Sequence, residues 1–480
     1  MKNTGDYYFD SEEFRELLSD YEKAVSAGEP VFMDADELAE IADYYQMGNQ
    51  LDEAKRAIDM ALSLSPGAIA PLTYKIHEAL YYGDIAAARS YLEQIIERDD
   101  PEFIYDKAEV LIAENRIEES DDYLREELKN VPDEEYQDYV IDVANIYSDY
   151  GISEKAMEWM GRAKPEDTPE YKEIMARTLF GLGKYEDSER LWGELIDTDP
   201  FSKQYWNALA STQFMKQDYS GSVQSSEFAI AIDPDDPEGI MAKANALYHL
   251  GNYEQSLDYF KRYTELMPDD EFALLHQATC LINMGRYQEA EPILQQAEQI
   301  ATNTDIVGEQ GSPYLADIYQ EQAFALSALG KTDEAIAALD KTDMLECDHV
   351  QVMVIKGHVL LGAERFREAE RQFRKAVAAS NDTFATLVRI VVSFYDNKYV
   401  EQAHRMLGEL LDKEPENNTL GYAYMAQCCF DMERWDEFLS YLKTACERNP
   451  TECRQVLSHL FPEDLEPEKY YDYIKTRMQK

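Results

Sequence analysis

Residues that could do chemistry occur in this sequence, but each pattern lacks a partner that its chemistry requires. Gly330-Lys331-Thr332 matches the end of a phosphate-binding loop, yet the first glycine of that motif would fall at Ala325 and no strand precedes it. Gly181 and Gly183 begin a dinucleotide-binding pattern, yet Glu186 stands where the third glycine is needed. Neither segment is predicted to bind a nucleotide.

Candidate metal ligands are equally incomplete. Glu401 and His404 have the spacing used in di-iron bundles, but that chemistry needs a second such pair and further carboxylates. The acidic segment 233–239 places its glycine one step too late for a calcium loop, and two prolines interrupt it. No nucleophile stands out beside an assignable base. We therefore predict no metal, no cofactor and no enzymatic activity.

The charge balance excludes some partners and favours others. The 480 residues include 96 acidic and 45 basic side chains, a formal net charge of −51. Residues 1–150 alone have a net charge of −26, whereas residues 351–400 have a net charge of +3. Such a field repels nucleic acids and anionic membranes and attracts cationic proteins. The sequence predicts a cationic protein or peptide partner, with no nucleic acid and no membrane.

Cysteine usage and the lack of a targeting segment bear on the compartment. The six cysteines all follow residue 279 and include no C-x-x-C spacing, which is typical of reduced thiols in the cytosol. The N-terminal residues become acidic at once, and no apolar run reaches 18 residues. We expect a cytoplasmic protein and make no prediction of its oligomeric state.

A repeat is the strongest regularity in the chain. Tyr185 is followed at intervals of 34 residues by three further tyrosines up to Tyr287, and Ala176 by three alanines up to Ala278. Pro200 is followed by two prolines at the same interval. Self-similarity at a fixed period of this length predicts stacked helical hairpins, in which each hairpin is buried only by its neighbours.

The clearest unit lies within residues 237–268. Its apolar pattern predicts a first helix over 238–250 and a second over 253–266, with Gly251 between them. Ala244 stands in the middle of the first helix, where a small residue lets the second helix approach closely. Helices of this length are marginal alone in water, so packing on neighbouring units must stabilise them.

The turns carry a family resemblance. Residues 251–256 read Gly-Asn-Tyr-Glu-Gln-Ser, and closely similar turns stand at 183–188, 285–290 and 330–335. Together with an aromatic and a small residue in the first helix, such as Trp206 and Ala210, they resemble the tetratricopeptide repeat. The resemblance implies an all-α fold, a right-handed superhelical α-solenoid of about twelve helix-turn-helix repeats.

Following the repeat outward divides the chain into five segments. An N-terminal capping helix is predicted in 1–33, and a repeat array of about eight units in 34–299. The period breaks at 300–313, which is predicted to be an insertion loop or a hinge. A second array of about four repeats covers 314–450, and capping helices cover 451–480.

The resemblance also implies where a partner binds. In tetratricopeptide arrays the first helices line an inner groove that holds a peptide or a partner's helix. Amides there can read a peptide backbone, while aromatics and methionine provide apolar pockets. Carried over to the central units, the predicted groove residues are Asn207, Ser211, Met241, Asn245, Tyr248, His249, Phe272, Leu275, His276 and Thr279.

The resulting function is a non-catalytic scaffold that binds a protein or peptide, with basic partners favoured by the acidity. The alternative is a regulatory or substrate-positioning subunit of an enzyme complex, or a chaperone-type assembly factor. One basic segment is an exception to the acidity, with Arg365, Arg367, Arg371, Arg374 and Lys375 close together. It either docks against an acidic surface or forms a solvated stripe.

Overall fold

The computed structural model describes residues 8–9, 11–303, 312–413, 418–462 and 465–478. All regular elements among these residues are helices, so the predicted all-α fold class is confirmed. Of the predicted insertion loop 300–313, residues 304–311 lie outside the described residues. None of the described helices combines the length and the apolar run that crossing a bilayer requires.

The described residues contain twelve consecutive helical pairs, here numbered hairpins 1 to 12, each with a first and a second helix. In chain order they are Ala35–Met47 with Leu51–Leu64, Ile69–Tyr81 with Ile85–Gln94, Pro101–Ala113 with Ile117–Glu127, Tyr136–Asp149 with Ser153–Met160, Pro169–Gly181 with Tyr185–Thr198, Lys203–Met215 with Tyr219–Ile232, Pro237–His249 with Tyr253–Leu266, Glu271–Asn283 with Tyr287–Ala301, Leu315–Ala328 with Thr332–Asp340, His349–Gly362 with Phe366–Ala379, Thr383–Asp396 with Val400–Leu411, and Tyr422–Asp431 with Trp435–Arg448.

Shorter elements flank and interrupt the hairpins. Helix Glu12–Ala27 precedes hairpin 1, and helices Pro450–Leu457 and Tyr470–Met478 follow hairpin 12. Three 3₁₀ turns are at Lys341–Met344, Ser458–Leu460 and Pro467–Lys469. The chain divides into two compact units, Met1–Pro234 (unit 1, hairpins 1 to 6) and Asp235–Lys480 (unit 2, hairpins 7 to 12).

Each hairpin turns at one residue with left-handed backbone conformation, here called its turn residue. The turn residues are Asn49, Gly83, Asn115, Gly151, Gly183, Gln217, Gly251, Gly285, Gly330, Glu364, Lys398 and Glu433. In all twelve, the next residue's N–H donates to the carbonyl five residues back, as Asn252 N does to Leu247 O at 2.9 Å. This is the hydrogen bond of a Schellman motif, which ends the first helix and aims the chain into the second.

A buried contact then fixes how closely the two helices of a hairpin approach. Ser256 Oγ in the second helix of hairpin 7 donates to Ala244 O in the first at 2.8 Å. Hairpin 5 repeats the bond between Ser188 and Ala176, and both serines are fully buried. The small residues predicted from the repeat therefore pack helix against helix and satisfy the serine hydroxyl without water.

The core is distributed among the hairpins. In unit 1, Trp159, Tyr147 and their neighbours form one apolar cluster, and Phe14 and Tyr21 pack the N-terminal helix onto hairpin 1. In unit 2, Phe260 lies in a cluster that joins hairpins 7, 8 and 9. Each cluster draws on neighbouring hairpins, as expected for repeats whose stability is the sum of units and their interfaces.

The turn conformation gives a direct stability prediction. At Gly251 the backbone φ is 78°, and an added Cβ would meet no atom within 4 Å. Gly251→Ala therefore introduces backbone strain without a steric clash, and should reduce the free energy of unfolding by roughly 1 kcal/mol. The reverse change, Glu364→Gly, removes an L-residue from φ 58° and should cause no such loss. Guanidinium denaturation followed by circular dichroism measures both variants; equal destabilisation by the two would contradict the turn assignment.

Candidate functional site

The turn residues define a common register for the first helices. The side chain six residues before each turn residue is here called position −6. In unit 1 position −6 is occupied by Asp43, His77, Glu109, Asn145, Arg177 and Ser211, and in unit 2 by Asn245, Thr279, Phe324, His358, Val392 and Gln427. First helices of successive hairpins contact one another from hairpins 1 to 5 and from hairpins 8 to 11. The side chains around position −6 therefore form a first-helix face in each unit.

In unit 1 the first-helix face contains a network around His77. Its Nε2 lies 3.2 Å from Asp106 Oδ1 and 3.7 Å from Glu109 Oε2, both on the next first helix. Thr73 Oγ1 donates to the other Asp106 oxygen at 2.6 Å, and Tyr150 Oη donates to Glu109 Oε2 at 3.3 Å. Burial lowers the pKa of His77, but the bond to Asp106 and the charges of Glu109 and Asp106 outweigh it and raise the pKa.

Carboxylates on this face are held in surroundings that disfavour their charge. Burial raises the pKa of Asp43 to about 6, a rise that His77 opposes and Glu40 reinforces. Burial likewise raises the pKa of Glu109, with further contributions from Asp106 and Asp149. Asp43 is nevertheless exposed to solvent. A side chain that solvent reaches while protein surrounds it lies in a recess, where an incoming cation would find a charge that water solvates poorly.

Two further carboxyl groups on first helices of unit 1 also have raised pKa values. The pKa of Glu102 is raised by burial and by the charges of Asp100, Asp106 and Asp36. Towards hairpin 5, burial also raises the pKa of Glu173. Arg177 partly compensates there, since its guanidinium lies 4.0 Å from Glu173 and also pairs with Asp149. Position −6 of unit 1 carries an acidic group in two hairpins and a basic group in two, and the further carboxylates of Glu102, Asp106 and Glu173 make the first helices of this unit acidic on balance.

In unit 2 the corresponding face begins with aromatic and imidazole rings. The ring of His276 lies tilted against that of Phe272 at a centroid distance of 4.0 Å, and lies 6.0 Å from Tyr248 and 5.5 Å from Phe260. Its Nδ1 lies 3.0 Å from Phe272 O. Burial lowers the pKa of His276, which favours the neutral ring. This part of the face offers flat apolar surface rather than charge.

Acidic groups return further along unit 2. Burial and the neighbouring charge of Asp317 raise the pKa of Glu321 to about 7. Burial also raises the pKa of Asp396, to about 6, although Lys398 opposes the rise. Both lie on first helices, as do the acidic groups of unit 1. Poorly solvated carboxyl groups are therefore a property of both first-helix faces.

The predicted groove residues fall into three groups. Ser211, Asn245 and Thr279 occupy position −6, and Met241, Tyr248, His249, Phe272 and His276 lie near it with part of their surface exposed. Asn207 and Leu275 are buried, with 2% and 5% of their surface exposed, so their side chains support the packing and offer a partner almost no surface. The acidic residues of unit 1 were absent from the prediction, although their shared register with Ser211 and Asn245 could have revealed them.

The basic segment of hairpin 10 lies on a second helix. Arg365 pairs with Asp333 and Glu368, and Arg374 pairs with Glu370. Arg367, Arg371, Arg374 and Lys375 are exposed, as a solvated stripe would be. Arg365 thus contacts an acidic residue of hairpin 9, while the described ion pair of Arg374 stays within its own helix.

Comparisons with known proteins place the repeats in a family. The family model for the tetratricopeptide repeat matches residues 75–135 and 175–237. The model for subunit 3 of the anaphase-promoting complex, cyclosome, matches 215–297, and that for the coatomer epsilon subunit matches 322–472. A search of curated protein sequences gives no match.

Solved structures of similar fold cover a minority of the chain. MamA MSR-1 is 20% identical over 35% of this chain and 97% of its own, with a TM-score of 0.32. MamA from Desulfovibrio magneticus RS-1 is 17% identical over 37% and 93%, with a TM-score of 0.33. YrrB, a TPR protein with an unusual peptide-binding site, is 15% identical over 41% and 95%, with a TM-score of 0.33.

The repeat matches fall on described helical hairpins, including hairpins 5 and 6, where the sequence period is most regular. Twelve turns of the same geometry show that one kind of helical hairpin recurs in both compact units of the chain. Tetratricopeptide repeats are protein-interaction modules. The chain carries tetratricopeptide repeats at residues 75–135 and 175–237, and repeats of this kind form a protein-interaction scaffold.

Proposed function

We propose that this protein is a non-catalytic scaffold whose first-helix face in unit 1 binds a cationic segment of a protein partner. The observation that carries the proposal is the set of recessed carboxyl groups with raised pKa, above all Asp43 and Glu109. Their raised pKa means that the ionised form is poorly solvated in the free protein. A lysine or arginine that reaches them replaces the missing solvation with a charge-assisted hydrogen bond.

The spacing of the carboxyl groups suits an extended cationic segment rather than a single ion. Asp43, Glu109 and Glu173 lie on the first helices of hairpins 1, 3 and 5, with Asp106 and Asp149 near the last two. Cationic side chains distributed along a peptide can meet such a row one after another. The same field repels phosphate backbones, so a protein partner fits this face better than a nucleic acid.

The face of unit 2 would contribute a different kind of contact. Phe272, His276 and Tyr248 offer rings, while Asn245 offers an amide that can donate to and accept from a peptide backbone. We propose that this face takes apolar side chains of a partner. The groove predicted for the central repeats is retained in this form, without Asn207 and Leu275.

Removal of charge from the unit 1 face tests the proposal. A fluorescein-labelled dodecapeptide of alternating lysine and serine should bind the full chain and compete with an unlabelled copy. Asp43→Asn combined with Glu109→Gln should weaken binding by at least about tenfold, because each lost ion pair contributes on the order of 1 kcal/mol. Fluorescence anisotropy at fixed ionic strength measures the dissociation constants.

A matched control separates this face from the general acidity of the chain. Asp59→Asn combined with Asp122→Asn removes the same charge from exposed positions on the second helices of hairpins 1 and 3. It should change affinity by less than about twofold, since these two charges lie on second helices, outside the proposed face, and are screened by solvent. Equal weakening by the two double variants would mean that the peptide is attracted only by net charge, and the proposed face would be wrong.

The raised pKa values also predict how binding responds to pH. Below its pKa a carboxyl group is neutral and gains nothing from a cation, so affinity should fall as pH is lowered through about 6, the value for Asp43. Carboxyl groups with ordinary pKa values near about 4 would hold the affinity constant to about pH 5. Anisotropy titrations from pH 8 to 5 measure the effect, and the Asp43→Asn/Glu109→Gln variant should show a smaller fall. An affinity constant down to pH 5 would contradict the role of these groups.

A further inference from the structure

Three side chains with different ligand chemistry meet in unit 2, away from the first-helix carboxylates already described. His404 lies on the second helix of hairpin 11, Cys429 on the first helix of hairpin 12, and Glu437 on the second helix of hairpin 12. One imidazole nitrogen, the thiol sulfur and one carboxylate oxygen all lie within 4.8 Å of one another. The stacking of hairpins 11 and 12 brings the three side chains together, since they lie on three separate helices.

The imidazole is directed into this cluster without a hydrogen bond of its own. His404 Nε2 is buried and has no hydrogen-bond partner among the described residues, although Glu437 Oε2 lies 3.4 Å away. A tetrahedral zinc ion with bonds of about 2.0 Å would hold a nitrogen and an oxygen ligand about 3.3 Å apart. The separation of His404 Nε2 and Glu437 Oε2 therefore already suits a shared ion.

Arg434 contacts the backbone of Cys429 and the carboxylate of Glu437. Cys429 is fully buried, and its carbonyl accepts the hydrogen bond from Arg434 N, at 2.8 Å, that closes the turn of hairpin 12. Arg434 Nη1 lies 3.5 Å from Glu437 Oε1, which leaves the second oxygen of Glu437 for His404. Groups that orient ligands in this way commonly surround metal sites.

We propose that His404, Cys429 and Glu437 bind one divalent transition-metal ion of the zinc class. Thiolate and imidazole ligands select such ions over magnesium and calcium. Glu437 is half-exposed, so an ion can enter from that side, and a fourth position is left for water or a partner's side chain. On binding, the metal–sulfur bond forms as the thiol loses its proton to solvent.

A divalent cation supplies the charge that stabilises the Cys429 thiolate, and its binding should release a proton.

Cobalt(II) is the probe for this site, because a cobalt–thiolate bond gives a charge-transfer absorption that neither imidazole nor carboxylate produces. The full chain, reduced and stripped of metal with a chelator, is titrated with Co²⁺ and then with Zn²⁺. We expect one equivalent of Co²⁺ to produce the charge-transfer band and zinc to displace it. No band at stoichiometric Co²⁺ would overturn the proposal.

Variants assign the band to the three residues. Cys429→Ser should abolish it, while Cys428→Ser, which changes the adjacent buried thiol, should retain it. Glu437→Gln should weaken Co²⁺ binding at least about tenfold, and the neighbouring exposed change Asp436→Asn should not. Because Glu437 is half-exposed, its variant tests the site without disturbing the core.

Two other thiols in unit 2 lie close together and need their own control. Cys446 Sγ and Cys453 Sγ lie 3.4 Å apart and could bind cobalt instead. The band should survive in Cys446→Ser/Cys453→Ser, and its loss there together with survival in Cys429→Ser would overturn the proposal. Circular dichroism of each metal-free variant shows whether it is folded. Where a cysteine variant is unfolded, the Co²⁺ affinity of Glu437→Gln decides the question instead.

Discussion

The left-handed turn between paired helices is the constraint on which the rest of this structure depends. Each first helix ends at a turn residue of left-handed conformation, and the same backbone hydrogen bond closes all twelve turns. Helices of this length have little stability of their own, and each must be buried by its partner and by the next hairpin. A uniform turn makes that stacking repeatable along each compact unit.

The same turn determines what each unit presents to solvent. Because every first helix ends at an equivalent residue, side chains at position −6 recur on one face of each unit. Their charges and polar groups therefore form a row along that face. In unit 1 this places Asp43 and Glu109 in register, with His77 between them. Burying carboxyl groups in this way costs free energy in the absence of a cation. Groups held at such a cost occur most often where a ligand is bound.

The polar contacts within and between hairpins are of two kinds, those that only support packing and those that leave polar groups incompletely compensated. The buried bond from Ser256 to Ala244 is satisfied within its hairpin and contributes only to close helix packing. His77 and Asp106 join two hairpins, yet leave neighbouring carboxyl groups without full compensation. At His404, the stacking of hairpins 11 and 12 brings an imidazole against Cys429 and Glu437. Packing by itself therefore creates the local environments that give these groups their reactivity.

The repeat, and hence the fold class, follows from the sequence alone. A period of 34 residues in tyrosine, alanine and proline follows from helical hairpins that pack in one way, so the all-α array could be predicted and is confirmed. Only the tertiary structure showed that turns without glycine, such as those at Gln217 and Glu364, have the same left-handed geometry. Local propensity disfavours these residues there, and the packing of the hairpin overrides it.

For the candidate sites, less could be predicted from the sequence and more depended on the tertiary structure. Register places Ser211 at position −6 in unit 1, and Asn245 and Thr279 at position −6 in unit 2, because it depends on the period alone. The side chains of Asn207 and Leu275 are buried instead, since burial depends on how the neighbouring helices cover each side chain. Composition established that the chain is acidic but not which acidic groups are recessed. The proximity of His404, Cys429 and Glu437 was decided only by the tertiary structure, because three separate helices supply the ligands and no spacing along the chain encodes their distances.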